Sequence, residues 1–102
     1  MNEYDVILEF ISEIQNALTE LLSSGFNAVH EYTIEELKRL KIDAESYNLH
    51  YAAQVLAFLY EKLYEKRHNF EFDYSECIEQ FCKLNEYCMI CKEQLEIEKV
   101  KL

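Results

Sequence analysis

The stretch CIEQFCKLNEYCMIC, residues 77 to 91, gathers all four cysteines of the chain, and how it is read decides the fold. As a ligand set it would nucleate a small zinc domain; as a helix it is one wall of a core. At about 100° per residue, Cys77, Cys88 and Cys91 fall in a narrow stripe while Cys82 turns well away. Cys77 and Cys88 then lie about 16 Å apart along the axis, whereas a zinc-bound sulfur sits about 2.3 Å from its metal. A four-cysteine site within this one helix is excluded. Zinc ribbons and knuckles also place their pairs on tight turns with Gly or Pro nearby, and this segment has neither. What remains is an amphipathic helix from Tyr74 to about Glu98, in which Cys77, Phe81, Leu84, Cys88, Cys91 and Leu95 alternate by fours and threes.

The same grammar runs through the rest of the chain. From Glu3 to Ser24, Ile7, Ile11, Ile14, Leu18 and Leu21 keep the four-three alternation, flanked by Val6, Phe10, Ala17 and Leu22. Gly25, the only glycine, should end this helix, because a left-handed residue past the last turn is cheapest without a Cβ, and Phe26 should fold back onto it. At Tyr32 to Leu37 a capping signature appears: Thr33 can accept from the amide three residues on, Glu36 can reach back, and Tyr32 and Leu37 make a hydrophobic staple. Leu37, Leu40, Ala44 and Tyr47 carry this second, shorter helix to Asn48, which suits a left-handed end. The third helix, 49 to 68, contains YAAQVLAFLY, apolar nearly all round, and needs neighbours on several sides in its own chain or in a second one. Its end, Lys66, Arg67 and His68, complements the helix dipole. Phe72 to Glu76 repeats the start signature of Tyr32 to Glu36 forty residues on, which suggests two stacked helical hairpins. Phe70-Glu71-Phe72 reads as a linker packing its rings.

The expected fold is all-α: a single helical domain over residues 1–102, built as an up-down bundle of three long helices and a shorter second one. A chain of this length with half its residues apolar supports one cooperative core. The beginning, MNEYDVILEF, has no positive leader or long apolar segment, and no run approaches a membrane span, so a cytoplasmic location with reduced thiols is expected. One glycine leaves little room for a phosphate-cradling loop. No cofactor and no metal are expected.

Charge carries the functional signal. With 20 acidic and 10 basic residues the net charge is −10, which opposes direct binding to nucleic acid or to an anionic membrane. The distribution is uneven: residues 1–37 carry −8 with no Lys or Arg, residues 38–67 carry +2, and residues 68–102 carry −4. On the first helix Glu9, Glu13 and Glu20 line one exposed face with no Lys to offset them. That face is plain solvent surface, is answered by Lys38, Arg39 and Lys41 of the second helix, or docks on a basic partner. Tyr47 with Tyr51, and Tyr60 with Tyr64, are paired at helical spacing beside the apolar third helix, where tyrosine suits a core boundary or an interface.

Catalytic readings are weaker. Cys88 and Cys91, one turn apart, could offer two ligands or a redox pair only with help from elsewhere, and a reactive pair belongs at a helix N-terminus, not about four turns in beside Glu86 and Glu93. Glu65 and His68 form a single E-x-x-H where a di-iron bundle needs two plus further carboxylates. His30, His50 and His68 have no Cys or Ser at a suggestive spacing. Three functions follow in order: a non-enzymatic protein acting through protein–protein contact, with a homodimer through the third and fourth helices as one form of it; a small acidic inhibitor that occupies the basic surface of a nucleic-acid-binding protein; and a metal or thiol site at Cys88 and Cys91. Partner-binding residues under the first two are Glu9, Glu13, Glu20, Tyr51, Tyr60 and Tyr64.

Overall fold

The computed structural model describes residues 3–25, 29–66 and 74–101. It contains four helices, α1 (Glu3–Ser24), α2 (Glu31–Ser46), α3 (His50–Lys66) and α4 (Ser75–Lys101), and no strand among the described residues. Each helix packs on its two neighbours in the ring α1–α2–α3–α4, and the diagonal pairs make no close backbone contact. That is a small helical bundle, elongated to 52 × 21 × 21 Å. The second helix is the shortest, at 16 residues.

Two helix ends follow the sequence closely. α1 stops where Gly25 takes φ 79°, its amide donating to the carbonyl of Leu21 at 2.9 Å. α2 closes with Asn48 at φ 61°, whose amide donates to Glu45 while that of Leu49 donates to Ala44, so the last carbonyls are satisfied in a tight turn. This turn delivers the chain straight into α3, and α2 with α3 is the most extensive pairing in the molecule.

The start of α2 corrects the capping expectation. The helix begins three residues earlier, with His30 in extended conformation at the cap and no side-chain bond there. Thr33 lies inside the helix and is buried at 3%, because it sits on the stripe with Ile34, Leu37 and Leu40 that faces the core. Glu36, instead of reaching back, pairs with Arg39. Tyr32 is 75% exposed and staples nothing. α4 extends to Lys101, beyond Glu98. The expectations for Phe26, Arg67, His68, Phe70 to Phe72 and Asp73 fall outside the described residues.

One cluster of buried side chains joins all four helices, from Phe10, Ile14 and Leu18 through Leu37, Leu56 and Leu59 to Cys77, Leu84 and Cys88. Its apolar area, at about 25 cal/mol per Å² removed from water, is the main term holding the bundle together. α3 finds the neighbours its apolar surface needs in its own chain: Ala52, Ala53, Val55, Leu56, Leu59 and Leu63 are buried, while Gln54, Tyr51 and Tyr64 stay at the surface. Leu22, expected on the flank of the core, is instead 68% exposed.

Candidate functional site

The acidic flank of α1 faces α2. Glu13 and Glu20 from α1 and Glu36 from α2 line a groove of about 430 Å³ between the two helices, with Asn16, Ala17, Thr19 and the exposed ring of Tyr32. Glu9, one turn before Glu13, is exposed on the same flank. Ala17 contributes a small apolar side chain to its lining. Thr19 offers its hydroxyl to the carbonyl of Gln15 at 2.9 Å and is engaged along its own helix.

A single cation reaches this groove among the described residues. Arg39 stands 3.8 Å from Glu13, but its guanidinium is already committed to Glu36 and, at 2.8 Å, to Asp43. Its hydrogen bonds to Glu36 hold that carboxyl below its ordinary value and raise the guanidinium's own, against the opposing effect of burial. One positive charge is thus shared by three carboxylates. Lys38 instead lies over the Tyr60 ring at 5.9 Å, and Lys41 pairs with Glu45 at 3.3 Å. Of the three bases expected to answer the acidic face, only Arg39 does so; Glu9 and Glu20 have no basic partner among the described residues.

The tyrosines do not join this groove. Tyr60 and Tyr64 meet as tilted rings 5.9 Å apart, with Tyr60 under Lys38 of α2. Tyr51 faces the opposite way, against Tyr87 of α4 at 4.9 Å, because nine residues at about 100° each carry it half a turn from Tyr60. Tyr47 packs on Phe10 at 5.0 Å and ties the α2–α3 turn to α1. The six residues selected from the sequence therefore sit in three places: Glu9, Glu13 and Glu20 beside α2, Tyr60 and Tyr64 together on α3, and Tyr51 on the side of α3 that meets α4. Glu36 and Tyr32, which the sequence pattern places at a helix start, belong to the groove as well.

The cysteines follow the helical stripe. Cys77 and Cys88 are buried, Cys91 is half-buried and Cys82 is exposed. Burial, reinforced by the neighbouring Cys91, pushes the Cys88 thiol up to about 12, so it stays protonated and is a poor nucleophile and a poor metal ligand near neutrality. Tyr87 is likewise pushed up to about 12, first by burial and then by a hydrogen bond between its hydroxyl and the Cys91 sulfur. Among the described residues no group of three His, Cys, Asp or Glu side chains is placed to hold a metal ion, and no helix is long and apolar enough to cross a membrane. His30 and His50 are exposed at the starts of α2 and α3, and the Glu65 partner His68 lies outside the described residues. The chain matches no protein-family model, no curated protein and no solved structure.

Proposed function

We propose that this chain is a cytoplasmic protein that works without catalysis, by binding another protein, and that the groove between α1 and α2 receives a basic segment of that partner. The observation that carries this is the imbalance of the groove: Glu13, Glu20 and Glu36 line it, and one shared Arg39 answers them. Holding like charges together costs a few tenths of a kcal/mol per pair, and an incoming Lys or Arg relieves that cost. Tyr32, exposed at the rim, offers a ring face to the same cation.

A second reading specifies the partner further. A net charge of −8 over residues 1–37, with no Lys or Arg among them, suits a small acidic inhibitor that occupies the surface a nucleic-acid-binding protein presents to phosphates. Both readings use the same groove. Replacing Glu9, Glu13 and Glu20 together by Lys should abolish capture of a basic protein from extracts of the source cell while leaving the circular dichroism of the bundle unchanged. Displacement of the captured partner by duplex DNA would select the inhibitor reading. Retention of the same partner by the triple variant would refute both.

A further inference from the structure

We propose that Arg39 is a built-in competitor for the groove between α1 and α2: it masks the Glu13 end, so that the leading basic residue of a partner is taken at the Glu20 end, beside Tyr32. This assignment rests on the groove being the partner site and adds which half of it is open. Arg39 is fixed from its own helix. Its Nε and Nη2 donate to the two carboxylate oxygens of Glu36, three residues before it, the first at 3.3 Å, and its Nη1 donates to Asp43, four residues on, at 2.8 Å. All three nitrogens of one planar fork are thus engaged, and the guanidinium is held in place where a lysine on its flexible stem would swing into solvent. The contact with Glu13 across the seam, at 3.8 Å, is too long for a hydrogen bond and is an attraction of charge alone.

An incoming Lys or Arg that approached Glu13 would meet the guanidinium at nearly the same distance, and the repulsion between the two cations offsets most of what the carboxylate offers. The other end of the groove is different. Arg39 is level with Glu13, while Tyr32 and Glu20 line the groove together, so seven residues back along α2 and seven on along α1 lead to the same place. Seven helical residues span about 10 Å, more than the screening length of about 8 Å at physiological salt, so the charge of Arg39 is weakly felt there. Glu20 has no basic partner among the described residues, and the 75% exposed ring of Tyr32 can lie beneath a cation held by that carboxylate. A single cation therefore gains only the Glu20 end. To gain Glu13 as well, a partner needs a second basic residue about 10 Å further on, three positions along an extended segment, with charge enough to draw Glu13 from Arg39.

The test is fluorescence anisotropy of labelled hexalysine with the full chain in about 20 mM NaCl, where exposed charges are little screened. Glu13→Gln and Glu20→Gln each remove one charge from the same helix, so the general field of the protein changes equally. Glu20→Gln should weaken binding about threefold to fivefold, and Glu13→Gln by less than about 1.5-fold. Arg39→Gln should tighten binding about threefold, and more than Lys41→Gln, which removes the same charge from α2 on its α3 side. With Arg39→Gln in place, adding Glu13→Gln should cost as much as adding Glu20→Gln. All of these are surface substitutions, and circular dichroism should report wild-type helical content for each. Equal losses from Glu13→Gln and Glu20→Gln in the otherwise wild-type chain overturn the masking by Arg39 and leave the groove standing as the partner site; so does an Arg39→Gln effect no larger than that of Lys41→Gln. Hexalysine affinity unchanged in Glu13→Gln/Glu20→Gln refutes the groove and the masking together.

Discussion

α1 and α4 are the two longest helices among the described residues, and they bury the same kind of stripe while presenting opposite outer surfaces. α1 buries Phe10, Ile11, Ile14, Ala17, Leu18 and Leu21, and gives the neighbouring groove carboxylates. α4 buries Cys77, Leu84 and Cys88, yet leaves Ile78, Met89, Ile90 and Ile97 between 45% and 59% exposed. The inward faces are interchangeable in logic because any close-packed core accepts small and branched apolar groups. The outward faces are under no such demand, so they are where a helix records what it meets.

The comparison is broken first at the core, where the largest effects are expected. Ile14→Ala in α1 and Leu84→Ala in α4 should each cost about 2 to 5 kcal/mol, measured by urea unfolding with the same slope, because both side chains are fully buried in one cluster. A cost in one helix and none in the other would mean that α1 and α4 do not share a core. Cys88→Ala should cost less, about 1 to 2 kcal/mol, since only one sulfur is lost.

Alkaline titration sharpens the same contrast. In the folded chain Cys88 sits at about 12 against an ordinary 9.0, and Tyr87 at about 12 against 10.0. Between those values the unfolded chain holds fewer protons than the folded one, so stability should be intact below about pH 9 and fall as pH rises toward 12. Cys88→Ala should flatten the early part of that fall; an unchanged profile would mean that the α4 thiol is not buried as described. On α2 the sign is reversed: Glu36, lowered by Arg39, stabilises at neutral pH and loses that contribution in acid, with a small effect because the pair is partly exposed.

The smallest effects on stability belong to the outer faces. Glu13→Gln and Ile90→Glu should each shift the unfolding free energy by less than about 0.5 kcal/mol, since neither residue is buried. A larger loss at either site would show that the surface is part of the folding core.

The bundle was legible because the four-three alternation is redundant: α1 would be recognisable with any one of its isoleucines removed. The ends of α1 and α2 were legible because Gly25 and Asn48 are suited to positive φ. The start of α2 was not, since Thr33 and Glu36 satisfy a capping pattern and also fit a buried stripe and an ion pair, and burial won. The acidic face of α1 was visible as a run of unpaired charge, but the groove it borders depends on α2 arriving beside it. On α4 the exposed apolar residues are legible in Met89 and Ile90, which directly follow buried Cys88 and cannot both face inward with it.

The claim that charge in the α1–α2 groove drives recognition is tested most directly by the salt dependence of affinity for the captured partner, measured by isothermal titration for the wild-type chain and for Glu13→Gln/Glu20→Gln. Affinity should fall steeply with added salt for the wild type, and the slope should shrink in the double variant. An affinity that does not change with salt, or a slope identical in the two chains, would contradict it.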